Sequence, residues 1–272
     1  MKKILICVFL MVGLVVSCSK KSGENVQEAP AELEKSELSS IKNVDWEKNC
    51  VNPFMFGKYG YTNPFGVCYS FPDFYMIGFS KDGKAAICLN EEIDGRGGNV
   101  VTFRVQDLVT DEVLCEFDWD SYEYSGQDYE EHDQIFASES VMSVFAKEKG
   151  NEIDKLLGQY SIIVQPCEFV YFPKNDDVYG LSFDVSIEDT GKRKYEVFQI
   201  VNYSISARKN GEGAKRLTFQ QDVVCENVHV CGYFKSPYEE RVVLVAGEEH
   251  YIFEGNGLRY RLFGCDLNKG FE

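Results

Sequence analysis

Between Phe74 and Trp119 the chain passes through four short runs rich in β-branched and aromatic residues: FYMIGFS, AAICLNE, NVVTFRVQD and EVLCEFDW. They are separated by Lys81-Asp82-Gly83-Lys84, by the glycine-rich DGRGG and by Thr110-Asp111. Runs this short, punctuated by residues that accept a positive φ, are poor helices and good hairpin strands. The pattern predicts an antiparallel meander with Gly83 at positive φ and residues 85–89 paired with residues 101–105. Twenty Phe and sixteen Tyr against seven Pro suit pleated, half-buried surfaces, and a hydrophobic share of 44% supplies a sizeable core.

A fainter copy of this pattern follows near the C-terminus as VHVCGYFKSPYEERVVLVAG, HYIFEG and YRLFGCDL. Phe234-Lys235-Ser236-Pro237 with Glu239-Glu240-Arg241 stands where Phe79-Ser80-Lys81-Asp82-Gly83-Lys84 stands earlier, each leading into an aliphatic strand. The pattern FSKDGKAA…VTFRVQDLVTDEVL resembles one blade of those β-propellers whose blades carry F-S-x-D-G-K and D-L-x-T turns. It also resembles families of predicted secreted bacterial proteins of unknown function that share this blade-like unit. The resemblance implies a β fold and an exported protein, and implies no activity. With two blade-like units legible and about 40 residues needed per blade, a complete propeller is excluded.

Between the copies, Val141, Met142, Val144 and Phe145 share one helical face, and Ile153, Leu156, Leu157 and Tyr160 repeat that spacing beyond Gly150. This predicts helical structure over residues 138–158, broken at Gly150 and restarted by Asn151 and Asp154 as a capping box. Residues 181–187 and 195–205 alternate as strands, with residues 188–192 as the expected hairpin turn. The expected fold is therefore mainly β with one or two short helices: two antiparallel meanders and a hairpin region, short of a propeller.

Lys2 and Lys3 precede an uncharged apolar run over residues 4–16 that ends at Ser17 and Cys18. A charged start and a run shorter than the roughly 20 residues a bilayer needs predict a signal peptide, residues 1–17. The tetrad Val15-Val16-Ser17-Cys18 resembles the lipobox of bacterial lipoproteins, which implies cleavage before Cys18 and a lipid on its sulfur. Residues 18–44, charged and poor in aromatics, are expected to be a flexible tether. Residues 45–272 are expected to form one globular domain, with sub-units 45–135 and 160–272 joined by the helices.

The chain carries 44 acidic against 28 basic side chains, a net charge of −16. Nucleic acid is an unfavourable partner at that charge, and so is an anionic bilayer surface approached without a lipid. Ser19 and Lys20 do not resemble an inner-membrane retention signal, which favours outer-membrane sorting, periplasmic or surface-exposed.

Eight cysteines remain once Cys7 leaves with the signal and Cys18 takes lipid: Cys50, Cys68, Cys88, Cys115, Cys167, Cys225, Cys231 and Cys265. An even number in an exported protein permits disulfides, although most sit in apolar runs where a thiol packs as a small hydrophobe. No C-x-x-C or H-x-x-x-H is present, so no metal and no cofactor are expected.

Ten acids and no Lys or Arg lie between Asp111 and Asp133, interleaved with aromatics. Asp118, Asp120, Tyr122 and Tyr124 are the candidate ligand-binding residues, carboxylates for a cation or a basic partner and rings for stacking. Calcium-loop spacing lapses at Glu123, where a glycine is required, so a solvated acidic loop is the simpler expectation. His132 lies among these acids as a candidate proton carrier, and His229 and His250 complete the histidines. Nucleophile elbows, P-loops and zincin helices are absent. The expectation is a lipid-anchored envelope protein, a module without catalysis that binds a protein or ligand partner or serves in an envelope assembly. The alternative is an exported hydrolase acting on cell-wall or glycan material through an Asp/Glu pair.

Overall fold

The computed structural model describes residues 40–52, 71–92, 98–172, 179–252 and 255–272. Cys18 and the rest of residues 1–39, together with Cys68, lie outside them. A 3-10 turn (Ile41–Asn43) and α1 (Trp46–Asn49) lead into β1 (Cys50–Val51), which pairs with β2 (Asp73–Phe79). Then β3 (Lys84–Glu92), β4 (Asn99–Asp107) and β5 (Val113–Asp120) add in sequence order, all antiparallel. Gly83 sits at φ +86°, as the turn chemistry predicts, and residues 85–89 pair antiparallel with β4, opposite residues 106–102, one residue off the expected register. The turn is closed by the Ser80 N–H on the Lys84 carbonyl at 2.9 Å and the Leu108 N–H on the Gly83 carbonyl at 2.8 Å.

The acidic segment is not a loop. It forms α2 (Ser121–Tyr124) and α3 (Tyr129–Phe136), because Asp120 and Asp128 accept from the first free backbone N–H groups of the two helices. Acids near a helix N-terminus also meet the favourable end of its dipole. The expected pair of helices about Gly150 is instead one helix, α4 (Val141–Gln159). Gly150 does not break it: the chain before the first strand crosses there, and a Cβ would lie 2.5 Å from Lys42 Cε. Asn151 and Asp154 do not cap. Asn151 accepts from Lys42 Nζ at 2.7 Å, and Asp154 accepts from the Ser40 hydroxyl and, at 2.9 Å, from the Ile41 N–H. Ordered packing thus extends back to Ser40, five residues into the expected tether, with Ile41 fully buried.

After α4, β6 (Ile163–Val164) pairs with β2, and β7 (Phe169–Tyr171) pairs with a later strand. Next come β8 (Leu181–Lys194), β9 (Phe198–Lys209) and β10 (Gly213–Val224), a three-stranded antiparallel sheet. The expected turn at residues 188–192 is a bulge inside β8. The Thr190 hydroxyl donates to the Ile200 carbonyl and the Gly191 N–H to Asp189, so pairing resumes at Arg193 opposite Gln199. The reversal comes later, where Tyr195 and Glu196 take φ of +53° and +64° in succession.

The last sheet holds β11 (Asn227–Lys235), β12 (Arg241–Ile252) and β13 (Gly255–Asp266), with β7 beside β11. Its first turn is closed as in the first meander. The Ser236 N–H meets the Arg241 carbonyl at 2.9 Å and the Leu267 N–H the Glu240 carbonyl at 2.7 Å. In each copy a ladder shift precedes a glycine, Gly78 or Gly232, against which a short extra strand lies. A Cβ there would fall 2.0 Å from the Ile163 carbonyl oxygen or 2.3 Å from that of Val170.

Three apolar layers follow from the alternation of these strands. Phe74, Met76 and Ile87 of the first meander meet Phe234, Val243 and Tyr260 of the second. The other face of the first meander is sealed by α4 through Phe145, Ile153 and Leu157, the face on which the helical spacing placed them. The other face of the second packs against β8–β10 through Tyr233, Leu244, Tyr203 and Ile205.

Candidate functional site

The acidic candidates do not converge on one point. Asp118 accepts from the Thr102 hydroxyl at 2.6 Å across the β4–β5 ladder, and Asp120 is the cap of α2. Tyr122 stacks on Tyr129 at 4.9 Å, while Tyr124 leans on Trp119, whose indole N–H donates to Glu148 at 2.7 Å. His132 shares a hydrogen bond with the Ser121 hydroxyl and lies on Phe136, knitting α2 to α3. Among the described residues no three His, Cys, Asp or Glu side chains form a metal-binding group.

The two dense basic runs of the chain, Lys192-Arg193-Lys194 and Lys215-Arg216, do not offset these acids. Lys192 pairs with Asp222 at 2.8 Å, Arg193 with Asp189, and Lys215 donates to the Asp266 and Lys269 carbonyls. The seven described cysteines form no disulfide with one another. Burial holds every one of these thiols above its ordinary value, Cys167, Cys225 and Cys231 at about 12. A thiol so placed is a packing group and a poor nucleophile.

A cleft of about 480 Å³ opens where the end of the β8–β10 sheet meets the β12–β13 ladder. Its walls come from three stretches of chain: Lys194, Tyr195, Phe198 and Gln199 around the β8–β9 turn, residues 220–226 at the end of β10, and His250, Arg259 and Arg261. The β10 wall is shaped by a ladder shift between Gln220 and Val223. Asp222 there takes φ +50°, with its N–H on the Asn202 amide oxygen. The Glu226 N–H donates to the Glu249 carbonyl at 2.7 Å and ties this end of β10 to β12.

Beneath the cleft lies Glu248, 1% exposed. Its Oε1 accepts from the Tyr203 hydroxyl at 2.8 Å and from Arg261 Nε at 3.2 Å, and Arg259 Nη1 stands 3.9 Å from Oε2. A buried carboxylate is tolerated only with such compensation, so the two guanidinium groups are held over it and lean outward, 54% and 42% exposed. Burial lowers the His250 imidazole and raises the Cys225 thiol, which leaves both neutral at pH 7. At the rim Tyr195 and Phe198 meet edge to face at 6.2 Å, with Lys194 Nζ 5.2 Å from the Tyr195 ring centre.

The cleft has the size of a small-molecule site, and most of its lining side chains are polar or charged, with Tyr195 and Phe198 as the aromatic part of its rim. Among its walls the sequence singled out His250, as one of three histidines, and Cys225, as one of eight cysteines. The signal for the others was alternation in GLRYRL, which puts Arg259 and Arg261 on one face of a strand and Tyr260 on the other. Comparison with known proteins finds no matching family model, no similar curated protein and no similar solved structure.

Proposed function

We propose that this chain is a lipid-anchored protein of the bacterial cell envelope whose β-rich part holds a small ligand in the cleft between β10 and β13 and performs no chemistry on it. The observation that carries the binding reading is the cleft itself, built on the junction of two sheets that share a packed core. Its thiol, Cys225, is almost fully buried and held up at about 12, which suits a packing group better than a nucleophile.

The anchor reading rests on the Lys2-Lys3 start, the apolar run of residues 4–16 and the Val15-Val16-Ser17-Cys18 tetrad. Among the described residues no helix is long and apolar enough to cross a membrane. Acyl chains contribute about 0.8 kcal/mol per buried CH₂ and would hold an acidic protein at a surface that its charge disfavours.

Two measurements test the two halves. Cys18→Ala should move the protein from the membrane to the soluble fraction; unchanged fractionation refutes the anchor. Native mass spectrometry of the detergent-extracted full chain should find a small molecule retained by the wild type and lost from Gln199→Trp, whose indole fills the cleft. Equal ligand content in both proteins refutes the cleft as the binding site.

A further inference from the structure

The cleft's charges are unevenly used. Each guanidinium carries five N–H donors. Arg259 spends none of them in a hydrogen bond among the described residues, its one close charge partner being Glu248 at 3.9 Å. Arg261 uses only Nε, on Glu248. Lys194 has no ion pair among the described residues and touches only the Tyr195 ring. The facing acids are largely committed: Asp222 to Lys192, and Glu248 beneath both arginines. Glu91, whose charge acts on Arg259 from β3, is mostly buried, and burial biases it toward its neutral form. Glu226 is a further acid on the β10 wall.

Two planar forks over one buried carboxylate, Arg261 bonded to it through Nε with both terminal nitrogens unspent and Arg259 with Nη1 3.9 Å from it, match the geometry of an oxyanion. We infer that the cleft takes a small molecule bearing a carboxylate or phosphoryl group, with the anionic oxygens on Arg259 and Arg261 and Lys194 at the rim. The rest of the molecule lies against Tyr195 and the side-chain amides of Gln199 and Gln221. This rests on the binding reading above and assigns its ligand class. Glu248 is a positioning residue: by holding the guanidinium groups before the ligand arrives, it removes part of the ordering cost of binding.

The test is calorimetric titration of the detergent-extracted full chain with inorganic phosphate and, separately, with benzoate, against chloride at matched ionic strength. At least one of the two should bind saturably where chloride does not; phosphate alone marks a phosphoryl site, benzoate alone a carboxylate site. Replacing both arginines, Arg259→Lys with Arg261→Lys, keeps the charge over Glu248 but removes the forks and should weaken binding at least tenfold. Lys194→Gln, at a side chain with no bond to the rest of the fold beyond one ring contact, should weaken it severalfold without affecting folding.

Binding that is unchanged in both variants marks adventitious anion association and overturns the inference, as does a wild type that responds to neither anion. If neither anion binds while an uncharged molecule is retained by the wild type and lost from Gln199→Trp, the oxyanion assignment falls and the cleft reading stands.

Discussion

Asp111 lies where the two meanders lock together, and its charge should cost the fold stability at neutral pH. Its Oδ1 accepts from the Gly264 N–H at 2.8 Å, across from the first copy to the second. Burial nevertheless raises its carboxyl to about 6, against the pull of that hydrogen bond and of Arg241. The unfolded chain gives up this proton near the ordinary value of about 3.9. Between about pH 4 and pH 6 the native state therefore binds more protons than the unfolded state, and stability falls as pH rises through that window. Above it the penalty is constant. Two pK units amount to about 2.7 kcal/mol, which partial contact with water reduces to about 1–2 kcal/mol. Asp111→Asn keeps an oxygen for the Gly264 N–H, tolerates the φ of +63° at this position, and cannot ionise. Urea unfolding of the full chain should show the variant about 1–2 kcal/mol more stable than wild type at pH 7.5 and equal to it near pH 4. A variant that is less stable at pH 7.5, or two pH profiles that run parallel, would refute the reasoning, because attraction to Arg241 would then outweigh desolvation.

Gly264→Ala should destabilise by about 2–4 kcal/mol, because its Cβ would fall 1.7 Å from the Leu108 carbonyl oxygen, a backbone atom that cannot step aside. Gly158→Ala in α4, whose Cβ meets nothing within 4 Å, serves as the opposite control and should stabilise by about 0.5–1 kcal/mol; thermal melts of the two in the same direction would show that the contact is not tight. Leu157→Asp should cost several kcal/mol, since it places a carboxylate at a position 2% exposed in the layer between α4 and the first meander. An unchanged melting temperature would make α4 a free surface element.

What was legible in the sequence was local. Asp82-Gly83 announces its turn because only a residue at ease with positive φ closes so short a reversal, and the pairing of residues 85–89 with β4 follows from strand length and that turn. The interruption of α4 was misread because Gly150 answers to a contact more than a hundred residues away, from Lys42, and helix propensity carries no trace of it. The β8–β9 reversal was misplaced for a related reason. Asp189-Thr190-Gly191 has turn chemistry, and the chain uses it for a bulge, since the Thr190 hydroxyl finds its acceptor on the neighbouring strand at Ile200. The acidic run hid two helices because its dense carboxylates read as a solvated loop, while Asp120 and Asp128 each satisfy backbone donors. No local pattern could assemble the cleft, whose walls come together only through the packing of β8–β10 on the second meander.

That packing also explains why a cleft forms on one meander and not on its copy. The ladder pair Glu91 and Val100 in the first occupies the place of Glu248 and Arg259 in the second, counted from the matched pairs Lys84 with Asp107 and Arg241 with Asp266. Beyond β4 the first copy continues into β5, so that Thr102, the counterpart of Arg261, spends its hydroxyl on Asp118, and α4 closes the outer face with apolar side chains. The second copy ends at β13, which among the described residues has a neighbouring strand on one side only. Its outer face is covered by a sheet whose last strand bulges at residues 221 and 222 instead of running on in register. The same meander is thus sealed in one copy and left open at one corner in the other, and the open corner is where arginine replaces valine. Among the described residues, a strand without a second neighbour, a bulged partner and guanidinium groups over a buried carboxylate all coincide there, and this is the corner in which the proposed ligand is placed.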